Sequence, residues 1–102
     1  MPQKRAITFA ESAVKDLEAI RDWYIDQGAP DAGEKLVGEI IAQVERLVDF
    51  PESGRTVPEF EIANLREIVF PPFRIVYRLN KNRASIVRIW RSERLLKMPS
   101  YD

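Results

Sequence analysis

Apolar positions in the first half of the chain recur at helical spacing, whereas those in the second half alternate. Ala13, Leu17, Ile20 and Tyr24 follow one another at intervals of three and four residues, with Lys15, Asp16, Glu18 and Asp22 mostly outside the stripe. Gly28 suits the left-handed residue that ends such a helix. Pro30 fits the first turn of a second one, where its missing amide costs nothing. Leu36, Val37, Ile40, Ile41, Val44, Leu47 and Val48 carry the period on to Phe50-Pro51. A link of one or two residues makes the pair an antiparallel hairpin. Ahead of it, residues 4–9 (KRAITF) alternate as a short strand, and Thr8 with Glu11 is placed as a capping box for the first helix.

After Phe50 the pattern changes. Residues 51–58 (PESGRTVP) form a turn-rich loop. Leu65–Phe70 is a strand, Pro71-Pro72 interrupts it, and Phe73–Leu79 is the next. Residues 80–82 (NKN) are a turn whose asparagines tolerate positive φ, and Ala84–Arg91 is the last strand. Loops this short join antiparallel neighbours, so the last three strands form a meander. The predicted order is β-α-α-β-β-β, one α+β domain over residues 1–102, with the hairpin on one face of a mainly antiparallel sheet.

Alternation also assigns faces. Phe73, Ile75, Tyr77 and Leu79 share the face under the helices, leaving Arg74, Val76 and Arg78 on the other. In the last strand Val87 and Ile89 are assigned to the core. Ala84, Ile86, Arg88 and Trp90 then fall on the open face, with Arg91 at the rim. Arginines interleaved with Val76, Ile86 and Trp90 suit a binding surface better than a purely solvated one. Leu95, Leu96, Met98 and Tyr101 could instead fold back over this face and make Trp90 ordinary core.

Charge sharpens the picture. The net charge is zero, yet residues 1–50 carry 6 basic and 10 acidic side chains and residues 51–102 carry 10 basic and 6 acidic. One acidic layer and one basic surface follow, and basic surfaces attract nucleic acid or acidic proteins. The basic start lacks an apolar run behind it, and no stretch is long and apolar enough to span a membrane, so a cytoplasmic location is expected.

The 102 residues contain neither cysteine nor histidine. Disulfides, thiolate metal sites and a serine triad are excluded, and no cofactor or metal is expected. There is no glycine-rich phosphate loop and no nucleophile elbow. One chemistry survives: RNA cleavage with arginine and lysine stabilising the phosphate while a Tyr or Glu moves the proton.

Three stretches carry a resemblance. They are residues 50–55 (FPESGR), Arg66–Phe70 running into Phe73–Arg78, and residues 86–94 (IVRIWRSER). In this order, behind a helical hairpin, the chain resembles the RelE/ParE superfamily of bacterial type II toxins, and its ParE branch more than its RelE branch. The resemblance implies a toxin neutralised by a cognate antitoxin. ParE-like members are associated with poisoning DNA gyrase, and RelE-like members with cleaving mRNA on the ribosome.

Arg74 matches the basic position of the nuclease branch on its middle strand. The last strand, however, ends in residues 91–94 (RSER), where that branch places a Tyr or a His-Tyr pair, and Tyr101 lies too far on. The resemblance therefore implies a non-catalytic gyrase inhibitor, with Arg74, Arg78, Arg88, Trp90, Arg91 and Arg94 binding antitoxin or target. The alternatives are a ribosome-dependent endonuclease using Arg74, Arg78, Arg88 and Tyr77, and a non-toxic relic that only binds antitoxin.

Overall fold

A computed structural model describes residues 6–60, 62, 64–81 and 83–91. Strand β1 (Ala6–Phe9) leads into helix α1 (Glu11–Asp26) and helix α2 (Pro30–Glu45), which a single 3₁₀ turn (Arg46–Val48) extends. Strands β2 (Arg55–Thr56), β3 (Leu65–Phe70), β4 (Phe73–Leu79) and β5 (Arg83–Arg91) follow. The sheet order is β1-β5-β4-β3-β2. β1 runs parallel to β5, and the other pairs are antiparallel. This is the predicted α+β arrangement, with one addition: the stretch read as loop contains the two-residue strand β2, paired to Arg66 and Glu67.

The hairpin turn follows from Gly28. Its φ of 76° is open to glycine without strain, and it lets the Gly28 N–H reach the Ile25 carbonyl and the Ala29 N–H the Tyr24 carbonyl. The link comprises residues 27–29, one longer than expected. The predicted capping box does not form. The cap residue of α1 is Ala10, with no side-chain cap. Thr8 remains in the strand, its hydroxyl 3.0 Å from the Ser85 hydroxyl, and Glu11 pairs with Lys15.

The main core lies between the hairpin and the sheet. Ala13, Ile40, Val44 and Leu47 meet Phe73, Ile75, Tyr77, Ala84, Ile86 and Ile89 there. Each large apolar side chain so enclosed contributes roughly 1.5–3 kcal/mol. A second, smaller core occupies the outer face: Val57, Leu65 and Val76, with Phe60, Ile62, Val87 and Trp90 packed around them.

Three face assignments in β5 are corrected. Ala84 and Ile86 point into the main core and Val87 points outward, while Ile89 lies under the helices as predicted. The cause is a β-bulge. Tyr77 pairs with Ile86 and the adjacent Val76 with Arg88, so Val87 is an extra residue and the alternation slips by one. The outer face is not open either. Val57, Phe60 and Ile62 cover it, a cover other than residues 95–101, which lie outside the described residues.

Candidate functional site

The basic residues singled out by alternation do not form one free patch. Arg74, on the outer face of β4, is 7% exposed. Its Nε donates to Glu67 Oε1 at 2.6 Å, and its two terminal nitrogens donate to both oxygens of Glu59 at 2.7 Å. Glu67 also accepts from Arg55 Nε at 2.6 Å. Two arginines and two carboxylates thus form a balanced, layered cluster between β2, β3, β4 and the turn at residues 57–60. The Arg74 hydrogen bonds hold the Glu59 carboxyl below the usual carboxylate range. Its partners, Glu59 first, raise the Arg74 guanidinium above its ordinary value. Arg78 lies four residues further along β4 and is half-buried.

Arg88 is held elsewhere. Past Ile86, the last residue of β5 paired to β1, the strand would present a bare edge. Helix α1 closes it with two side chains. Ser12 donates to the Val87 carbonyl at 2.6 Å, and Asp16 Oδ2 accepts from the Ile89 N–H at 2.8 Å. Asp16 takes the Arg88 fork as well, at 2.8 and 3.0 Å. This draws the guanidinium over the Trp90 ring, 4.3 Å from its centroid. The expectation of a solvent-facing arginine row is therefore corrected at Arg74 and Arg88, each of which is neutralised by the chain's own carboxylates.

Tyr77 faces the opposite way. Its side chain is in the main core, where its hydroxyl donates to the Pro51 carbonyl at 2.9 Å and accepts from the Gly54 N–H at 3.0 Å. Burial pushes its pKa up. The sheet thus separates the Tyr77 hydroxyl from Arg74 and Arg78, and Arg88 lies at the edge with Asp16. Arg94 and Tyr101 lie outside the described residues. Among the described residues no group of three or more acidic side chains is gathered as a metal site, and no helix is long and apolar enough to cross a membrane.

What does gather is a groove between α1 and the end of β5. It encloses about 410 Å³ and is lined by Ile20, Trp23, Tyr24, Phe73, Trp90 and Arg91, among others. Trp23 is 54% exposed, with its ring edge-to-face against Tyr24 at 5.0 Å. Arg91 stands 5.8 Å from the centre of the Phe73 ring. Alternation brought Trp90 and Arg91 into the candidate set but missed Trp23. Its place on the helix gave a signal: it lies one position from Tyr24, at the margin of the apolar stripe, where core packing does not need a tryptophan.

A helical hairpin laid on one side of a sheet, with its first strand parallel to its last, matches solved toxins of the RelE/ParE type. A chain of the chromosomal ParDE system from P. aeruginosa superposes with a TM-score of 0.75 at 28% identity, covering 88% of this chain and 98% of that one. A chain of the RelBE2 complex from Mycobacterium tuberculosis gives 0.65 at 15% identity over 86% of this chain and 98% of its own, a likeness of fold. Toxin RelE2 of Caulobacter vibrioides is 38% identical over 84 residues, which span 81% of this chain and 90% of the relative. The family model for the ParE toxin of the type II toxin–antitoxin system parDE matches residues 7–96. The chain belongs to that family and is a type II toxin of the ParE/RelE superfamily.

Proposed function

We propose that this toxin acts by binding rather than by catalysis, that its target is DNA gyrase, and that a cognate antitoxin holds it silent. The separation of the groups a ribonuclease would need carries the reading. Transferring a proton and stabilising a phosphate require the donor and the cations within hydrogen-bond reach of one substrate. Tyr77 is engaged by Pro51 and Gly54 on the helix side, and Arg74 by Glu59 and Glu67 on the outer side. The purified chain should block supercoiling by gyrase, or trap cleaved DNA with it, at micromolar concentration. Inactive gyrase assays together with A-site cuts in primer extension on mRNA from expressing cells would move the chain to the nuclease branch. Absence of growth arrest on induction would favour an antitoxin-binding relic.

For the antitoxin, the groove between α1 and β5 is the proposed seat. Its aromatic lining and the Arg91 guanidinium suit a segment with apolar and acidic residues that orders on binding. Trp23 is the residue to remove, because its exposure makes the fold indifferent to it. Trp23→Ala should weaken the complex by about tenfold or more, as loss of an aromatic anchor does, while leaving the thermal midpoint of the free toxin nearly unchanged. Calorimetric titration checks this, and unaltered affinity would place the antitoxin elsewhere.

A further inference from the structure

Arg55, Arg74 and Arg88 each meet a carboxylate of the chain, but three cations around the β4–β5 turn meet none. Among the described residues the side chains of Arg78, Lys81 and Arg83 have no ion-pair or hydrogen-bond partner. Lys81 and Arg83 are exposed and Arg78 is half-buried. Arg78 pairs with Ser85, and Leu79 pairs with Ala84. Leu79 and Ala84 turn into the main core, so their neighbours Arg78, Arg83 and Ser85 share the outer face. Arg83 is the diagonal neighbour of Arg78, about 7–8 Å away. Two positive charges at that range repel, and an anion between them relieves both. Thr8 stands opposite Ser85 on β1, with the two hydroxyls 3.0 Å apart. One hydroxyl donates to the other, which leaves the acceptor's own hydrogen for an outside oxygen.

We propose that this end of the outer face docks the phosphate backbone of duplex DNA, with Arg78, Lys81 and Arg83 as its cations and the Thr8–Ser85 pair as its hydroxyl donor. Arginine, lysine and hydroxyl side chains are the groups that hold backbone phosphates. These five residues include no large apolar side chain to make the dry centre of a protein interface. None of them is aromatic, so the bases of a single strand find nothing to stack on. The choice of a DNA duplex over an RNA one rests on the gyrase reading. Arg83 opens β5 and Arg91 closes it, so this surface lies at the opposite end of the strand from the Trp90–Arg91 groove.

Fluorescence anisotropy of a short labelled DNA duplex, titrated with the free toxin at several salt concentrations, tests it. The logarithm of the affinity should fall with that of the salt concentration with a slope of roughly −2 to −3, about 0.9 for each phosphate neutralised. Arg78→Gln with Arg83→Gln should weaken binding roughly tenfold or more at low salt and reduce the slope by about two. Lys81→Gln with Arg83→Gln should do the same without disturbing the half-buried Arg78. The control, Lys35→Gln with Arg46→Gln, removes equal charge from exposed positions on α2 and the turn after it, and should stay within about twofold of wild type. Equal losses in the control and the test variants would overturn the surface, as would absence of binding at micromolar concentration in low salt. An RNA duplex or a single strand held more tightly than the DNA duplex would overturn the choice of ligand. So would a polyglutamate peptide bound as tightly through the same arginines. The assay contains no gyrase, so a chain that binds the duplex yet leaves supercoiling untouched loses the gyrase reading alone.

Discussion

Gly54→Ala should destabilise the toxin by about 3 kcal/mol, the upper range for forcing extra volume into a packed site. A midpoint more than about 10 °C lower is the corresponding thermal readout for a domain of this size. A methyl group on Gly54 would stand 2.5 Å from the Tyr77 hydroxyl and 2.7 Å from the Glu67 carbonyl oxygen. The hydroxyl cannot turn aside without surrendering the Pro51 and Gly54 hydrogen bonds, and the carbonyl belongs to the backbone of β3. Both neighbours are fixed, so the loop must move. The double variant with Tyr77→Phe removes only the hydroxyl. It should recover only part of the loss, because the ring carbon Cε1 and the Glu67 carbonyl, each 2.7 Å from the methyl, remain in place. Thermal melts followed by circular dichroism check both variants, and a Gly54→Ala protein as stable as wild type would refute the close packing of loop and sheet.

Asp16→Ala should cost about 2–3 kcal/mol. It strips a half-buried guanidinium of its carboxylate and leaves an edge amide without an acceptor, and removing one partner of such an arrangement costs more than the pair contributed. The estimate lies below that for a fully buried pair because both side chains keep some exposure, 20% for Arg88 and 15% for Asp16. Asp16→Asn retains an oxygen for the Ile89 N–H and should lose roughly half as much. Denaturant titration resolves the two variants. The effect should also reach binding, because Arg88, Ile89 and Trp90 form one wall of the α1–β5 groove. An Asp16→Ala toxin with unaltered stability and antitoxin affinity would contradict this account of the edge.

The fold was legible where one local rule governs each element. The stripe from Ala13 to Tyr24, the left-handed Gly28, the opening Pro30 and the alternation of Phe73, Ile75, Tyr77 and Leu79 each state their own geometry. The bulge was not legible. Val87 is an ordinary β-branched residue, and only the pairing of Val76 with Arg88 makes it supernumerary. One slipped position put Ala84 and Ile86 under the helices and Val87 on the outer face.

The site was half legible for a related reason. Alternation placed Arg74 on the face away from the helices, and the structure agrees. What alternation cannot state is whom a guanidinium meets there. Glu59 lies fifteen residues earlier and Glu67 seven, while Asp16 reaches Arg88 across seventy-two. These partners come from tertiary packing, which charge counting along the chain treats as separate acidic and basic halves. The cover over the outer face was hidden similarly. Residues 51–58 read as turn, and nothing in a turn signal tells that Val57 will be fully enclosed.

The pairing of β1 with β5 has a consequence for the order of manufacture. Ala6 lies opposite Arg83 and Phe9 opposite Ile86, so β1 finds its neighbour only after both helices, β3 and β4 have been made. A polypeptide halted at residue 70 carries both helices but no floor for them, since Phe73, Ile75, Tyr77, Ala84, Ile86 and Ile89 are still to come. Trp23 is then made well before Trp90, and their shared groove exists only after both have left the ribosome. A partner that recognises that groove therefore has nothing to hold until β5 has been made, and a product abandoned before it offers no purchase.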